Sequence, residues 1–428
     1  MADQADDGLT GLRPPEKHLP VGVMPNAPHQ DAGFLHATHF QLAVVEFDDQ
    51  GRGHRDGAQL KAVSAVIERL REQGQDAIIL VFAHGWKHDA RSDDENLTSF
   101  RAMLHRTALY EQAHPGVGGP RAVYGIFVGW RGLTAYAPSD LVADATFLGR
   151  QDAAHRVATG SVRELFGRLR HYRNARLKRG GAPLLAISGD SFGGMIVYSA
   201  LAQSLIEAAS APADHVIPGF ADLVLLANPA IEGARYLPVY DLVSGAPFRE
   251  RTRAQLPLFI CIQAENDQPV GTWFPIGNFK SRLEEAAIGD LEKRCITHAI
   301  GFVGQFNTHR IAGPAGVDRF VLDPPEIRQP NPFWVVSAEK EVIDGHGGIW
   351  QQPFIDFLGA VLFQHVQVSK AALPPPTGAE VAAAEARGGP SVSRTFAARA
   401  AIHDAEPNGK LADFAHATFG PREGGHLP

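Results

Sequence analysis

The sequence predicts an α/β fold: a mostly parallel central sheet with helices on both faces. Short, almost wholly apolar runs such as "AIILVFA" and "DLVLLA" recur along the 428 residues, separated by stretches with apolar residues at helical spacing. Strands that are apolar throughout belong to sheets covered on both sides, the usual setting of parallel sheets. One such run also ends abruptly in "SGDSFGG" and passes at once into a second apolar stretch, which marks a sharp strand-to-helix turn.

The elements follow in order. Residues 1–35 are rich in Pro, Gly and Asp and read as an irregular arm. "FQLAVVEF" from Phe40 reads as a strand. Gln59–Gly74 carries a helical stripe at Leu60, Val63, Val66, Ile67 and Leu70. "AIILVFAHGW" (Ala77–Trp86) is short enough for a buried strand, and "DDENLTSFRAMLHRTALYEQA" opens with acids in its first turn, as helices do. "RAVYGIFVGW" is a strand, Ser161–Arg179 a helix, Pro183–Gly189 a strand and Ser191–Ala209 a helix. "ADLVLLANP" is a strand, Ile231–Leu242 a helix and "LPLFICIQAEND" a strand. "FWVVSAEKEVI" is the last strand and "QQPFIDFLGAVLFQHV" the last helix.

Two stretches, 133–160 and 271–332, interrupt the alternation and are expected to be lid-type insertions shaping a pocket wall. From about Ala371 the chain turns rich in Pro, Ala and Gly. We therefore expect one domain over 36–369, followed over 370–428 by a poorly ordered tail with room for a short docked helix.

Composition limits the partners. The net charge is −7, with no basic excess of the kind a nucleic-acid surface needs. The densest basic run, "RLRHYRNARLKR", falls on a predicted helix and reads as a solvated face. The N-terminus lacks the apolar core of a secretory signal, and no apolar run approaches the roughly 18 residues of a membrane span. These readings predict a soluble cytoplasmic protein with no integral membrane segment, with signal-independent export left open. The two cysteines do not make a disulfide framework, and Cys261 reads as a small core residue.

Glycine spacing separates the two reactive-looking residues of "SGDSFGG". A residue at such an elbow takes a strained positive φ and needs small neighbours two places away. Centred on Ser191, those neighbours are Gly189 and Gly193; centred on Asp190, they are Ser188 and Phe192. The elbow residue is therefore Ser191.

The stretch "AISGDSFGGMIV" resembles the nucleophile elbow of the α/β-hydrolase superfamily in its serine esterase and lipase branch. As an ordering of elements the resemblance runs from about Phe40 to Val366. "HGWKH", "FVGWRG" and "LLANPAIEG" are similar to stretches in a group of largely uncharacterised bacterial hydrolases. The resemblance implies an α/β-hydrolase fold and an oxyanion hole formed by the main-chain N–H groups of Trp86 and Phe192. It implies that Gly85 lets the backbone approach and that His84 braces the loop. Metal binding by His84, His88 and Asp89 is not expected, since no further ligands stand at suitable spacing.

The resemblance also implies an acid after the next-to-last strand and a histidine after the last. Asp267 is favoured as the acid, with Glu232 as the alternative. Among the 19 histidines, His346 in "VIDGHGGIW" lies between a strand and a helix and is favoured as the base, with His309 as runner-up. Asp344 is expected to shape the turn. The residue before the serine is often His in the family; here it is Asp190, which could raise the pKa of His346 or instead bond neighbouring loops.

The expected activity is serine carboxylic-ester hydrolysis (EC 3.1.1 type) on a small-molecule ester or lipid, with no metal or organic cofactor. Two alternatives stand beside it: a lipase or phospholipase with a mobile lid, and a catalytically silent binding or scaffold protein. Trp86, Trp130, Phe192, Trp273 and Phe274 are candidates to line an apolar acyl pocket, although aromatics near loops are more often plain core. Oligomeric state is left open.

Overall fold

The structure is a computed structural model that describes residues 23–25, 40–86, 88, 90, 94–130, 147–212, 216–268, 270, 289–370 and 408–420. Among the described residues, ten strands form one sheet in the order β1-β2-β4-β3-β5-β6-β7-β10-β8-β9. They are β1 Val23–Pro25, β2 Phe40–Phe47, β3 Ala77–Ala83, β4 Ala122–Trp130, β5 Leu184–Asp190, β6 Leu223–Ala227, β7 Phe259–Ala264, β8 His309–Ala312, β9 Val321–Asp323 and β10 Phe333–Ala338. All neighbours run parallel except the two outermost pairs, β1–β2 and β8–β9. The expected class, α/β with a mostly parallel sheet, is what the structure has.

Alternation along each strand builds two cores. In β3, Ile79, Val81 and Ala83 face one side, with helices α1 (His54–Glu72), α3 (Phe147–Thr159), α4 (Val162–Lys178), α5 (Ser191–Ala209) and α6 (Gly233–Ser244). Ile78, Leu80 and Phe82 face the other, with α2 (Glu95–Ala113), α9 (Gln352–Lys370) and α10 (Leu411–Phe419). Two further short helices, α7 (Ala246–Arg249) and α8 (Asp290–Thr297), join the connections. Side chains of successive strand residues point to opposite faces, so a run apolar at every position is consumed by both cores.

The central strands end level. Ala83 pairs with Gly189, Asp190 with Ala227 and Ala264 with Ala338, so the loops leaving β3, β5, β6, β7 and β10 gather at one edge. Outside the carboxyl ends of strands is where open α/β sheets bind ligands.

Several expectations need correcting. Within the expected irregular arm, Val23–Pro25 forms a short edge strand; the rest of that arm lies outside the described residues. The stretch 271–332 is not simply an insertion over the sheet: from its later half come β8 and β9, which extend the sheet at its far edge. The last strand ends at Ala338 rather than continuing to Ile343, because Val342 and Ile343 turn back to bond the Glu339 carbonyl. The domain's last helix runs to Lys370, whose ammonium pairs with the buried Glu111 at 2.9 Å. Beyond it, α10 docks on α9, and Arg319 donates to the carbonyls of Phe419 and Gly420. Among the described residues one helix, α5, is long and apolar enough by length and composition to cross a membrane, and 61% of its apolar window is buried within the protein.

Candidate active site

The turn from β5 into α5 has the geometry that its glycines imply. Ser191 is the first residue of α5 and sits at φ 51°, a left-handed conformation rare for any residue with a side chain. The crossing is so tight that a β-carbon on Gly189 would stand 2.6 Å from the carbonyl carbon of Gly193, and one on Gly193 would overlap the carbonyl of Ala83. Only glycine allows the helix to start directly against β3.

Ser191, His346 and Asp267 stand in one hydrogen-bonded line. His346 Nε2 is 2.7 Å from Ser191 Oγ, and His346 Nδ1 is 2.8 Å from Asp267 Oδ2. An ionised carboxylate can only accept, so Nδ1 carries the proton and Nε2 presents a lone pair to the serine hydroxyl. The Asp267 side chain is fully buried, whereas the imidazole keeps 22% of its surface exposed. The carboxylate is sealed off, and the imidazole is partly open to solvent.

Four residues that sequence reasoning did not single out hold this line. Gln263, on β7, donates from Nε2 to Asp267 Oδ2 at 2.8 Å, and the Val270 N–H donates to Asp267 Oδ1 at 3.1 Å. Asn266 grips the His346 loop at both polar ends: its Oδ1 accepts from the Gly345 N–H, and its Nδ2 donates to Asp344. Asn228 reaches the same loop from the end of β6. The signal for Asn228 was an asparagine directly after an apolar strand, in the "LLANPAIEG" stretch. Asparagine tolerates the left-handed region, and Asn228 occupies it at φ 44°.

The loop after β3 is fixed by His84. This imidazole is fully buried, with ring centroids 5.5 Å from Phe127 and 5.9 Å from Trp130. The Trp130 N–H donates to Nε2 at 3.1 Å, so Nδ1 is the protonated nitrogen and donates to the Gly85 carbonyl at 2.9 Å. The Trp130 indole N–H bonds the His84 carbonyl at 2.7 Å. Burial lowers the His84 pKa to about 4 and keeps the ring neutral. Both ring nitrogens are thus committed to the backbone around this loop. Gly85 then passes Ser191 closely: a β-carbon on it would lie 2.8 Å from Ser191 Cβ. Trp86 follows, partly buried against the core, and Phe192 is wholly buried with its ring edge-on to Trp130.

Asp190 takes the N-cap position of α5 but makes no side-chain cap bond. Its carboxyl turns toward the β3 loop, where Oδ2 would lie 2.5 Å from a β-carbon on Gly85, and its buried Oδ1 has no hydrogen-bond partner. Burial pushes its pKa up to about 6, against the pull of His88 and His346. Burial pulls the His88 imidazole down, but its 3.1 Å bond to Asp94 and the charge of Asp190 raise its pKa overall.

Other expected site residues fall elsewhere. Glu232 bonds Arg235 and Gln151, whereas the carboxylate on His346 Nδ1 is that of Asp267. His309 lies on β8, buried and stacked on Trp334 at 3.9 Å, so it is a core histidine. Trp130 and Phe192 are 3% and 0% exposed and pack in the core instead of lining a pocket. Asp89, Trp273 and Phe274 lie outside the described residues, as do 133–146 and 271–288 of the two expected insertions. Cys261 is a buried free thiol, as expected.

No family model matches the chain, and no curated protein matches it. Among solved structures, one of TT1662 from Thermus thermophilus is similar at 13% identity over 68% of this chain and 90% of that one, with a TM-score of 0.28. Esterase 2 of Thermogutta terrifontis, phosphoramylated by tabun, is similar at 20% identity over 48% of this chain and 69% of that one, with a TM-score of 0.21. Superpositions this loose say nothing about the chemistry of the site.

Proposed function

We propose that this chain is a serine hydrolase of the α/β-hydrolase type that cleaves carboxylic esters through an acyl-enzyme on Ser191. The observation that carries the reading is the unbroken line from Ser191 Oγ to His346 Nε2 (2.7 Å) and from His346 Nδ1 to Asp267 (2.8 Å), with Ser191 held at a left-handed φ. A serine hydroxyl is too weak an acid to attack a carbonyl unaided. Here its proton has an acceptor within hydrogen-bond reach, in the tautomer that can take it.

The reaction runs in two halves. Ser191 Oγ attacks the ester carbonyl while His346 Nε2 takes the hydroxyl proton. The imidazolium then gives that proton to the departing alkoxide, leaving an acyl-serine. Water enters, loses a proton to His346, attacks the acyl carbon, and Ser191 leaves with its proton restored. Asp267 holds the ring and stabilises its charged form. The main-chain N–H groups of Trp86 and Phe192 face the developing oxyanion, each contributing about 3 kcal/mol to the transition state. The close pass of Gly85 by Ser191 supports that placement of the loop. Balanced in this way, the reaction calls on protein groups and water alone.

The test is a series of p-nitrophenyl esters of increasing acyl length, given to wild type and Ser191→Ala. Hydrolysis of at least one ester by wild type, abolished by Ser191→Ala, supports the reading, and the chain-length optimum separates an esterase from a lipase. Equal rates in the two proteins refute it.

A further inference from the structure

We propose that Asn228 is a positioning residue for this site: one buried amide holds the His346 loop and the end of β7, which carries the acid, in a single register. The inference rests on the function proposed above.

The amide is used at every position. Nδ2 donates to the carbonyl of Gly345 at 3.1 Å and to the carbonyl of His346 itself at 3.0 Å. Oδ1 accepts from the Ala264 N–H at 2.8 Å and from Gln263 Nε2 at 3.3 Å. An asparagine side chain offers two donor hydrogens and one oxygen with two lone pairs, so its capacity is filled. The orientation of the amide is fixed as well, because the two loop carbonyls can only accept and the Ala264 N–H can only donate.

No other side chain of this size supplies that pattern. An aspartate would set an oxygen against two carbonyls, and a leucine would take the Asn228 partner from the Ala264 N–H and from both loop carbonyls while itself sitting fully buried. The Asn228 N–H also donates to the Ile262 carbonyl at 2.8 Å, which anchors its backbone to the same strand. A left-handed non-glycine residue is unfavourable and persists where its surroundings over-determine it. Here those surroundings are the two segments that must stay aligned. Gln263 completes the link, since the same Nε2 that reaches Asn228 also bonds Asp267 Oδ2. Base and acid are therefore referred to one side chain that touches neither reacting atom.

The test uses the full chain with Asn228→Gly, which suits the left-handed backbone, Asn228→Asp, which keeps the shape but loses the donors, and Gln263→Met. We expect both Asn228 variants to lose about 100-fold in kcat on an ester that wild type hydrolyses, with KM within about threefold, because the loop drifts while substrate contacts remain. The low-field proton resonance of the His346 Nδ1–H should shift or broaden. Gln263→Met removes a donor from Asp267, so its acidic activity limb should move to higher pH. Folded Asn228 variants with wild-type kcat and an unchanged low-field resonance overturn the inference. If neither Asn228 variant folds, an unchanged pH profile in Gln263→Met overturns it. Failure of the underlying function looks different: Ser191→Ala would then hydrolyse as fast as wild type, and the resonance would still report on Asn228.

Discussion

The carboxyl of Asp190 lies against Gly85, so close that a β-carbon on the glycine would stand 2.5 Å from Asp190 Oδ2. The loop beside Ser191 therefore faces a buried acid whose Oδ1 has no hydrogen-bond partner. Desolvation explains why this carboxyl holds its proton up to about pH 6.

Asp190 should make stability depend on pH. In the unfolded chain an aspartate ionises near pH 4, and in the folded protein only near 6. The folded state thus binds the extra proton between those values, and stability is lost as pH rises through the folded pKa. Replacing Asp190 with Asn removes that cost. The variant should gain on the order of 1–3 kcal/mol over wild type at pH 8, and the gain attributable to ionisation should vanish below about pH 4. Denaturant melts across pH 4–8 measure it; a difference constant over that range would refute the assignment.

Asp267 and Glu232 should behave oppositely. Asp267→Asn keeps the shape but no longer dictates which imidazole nitrogen carries the proton, and should lose about 10⁴-fold in kcat with the fold retained. Glu232→Gln disturbs only its bonds to Arg235 and Gln151 and should keep wild-type kcat. Steady-state kinetics with a circular dichroism control compare them. A large loss in Glu232→Gln with little in Asp267→Asn would reverse the roles.

His309 should matter for acid stability and not for catalysis. Burial lowers its pKa to about 4, so the unfolded chain binds a proton that the folded chain refuses between about pH 6.5 and 4. Stability therefore falls as pH drops through that window. His309→Phe, still able to stack on Trp334, should weaken that fall while leaving ester hydrolysis unchanged. Loss of hydrolysis in the folded variant would return His309 to the candidate bases.

Much of this arrangement is readable from short-range pattern. Apolar runs mark β3, β5, β6 and β7 because both faces of each strand are buried, and glycine spacing separates Ser191 from Asp190 because a β-carbon at Gly189 or Gly193 has no room. What local pattern misses is set by distant partners. Strand β8 has four residues with one exposed arginine, and its partner β10 lies farther along the chain, so in the sequence His309–Ala312 reads only as part of the 271–332 insertion. Asn228 and Gln263 look like ordinary strand-end polar residues until β6, β7 and the His346 loop are brought together. The destination of the Asp190 side chain was equally open, because nothing in "SGDSFGG" fixes which loop will pack on it.

The central claim is that Ser191 is an activated nucleophile. The most direct measurement is labelling of the folded full chain with a fluorophosphonate, followed by mass mapping of the modified peptide. The account predicts one covalent adduct on the Ser191 peptide, absent in Ser191→Ala and slowed strongly in His346→Ala. Folded wild-type protein that takes no label, or a label on another residue that persists in Ser191→Ala, would contradict it.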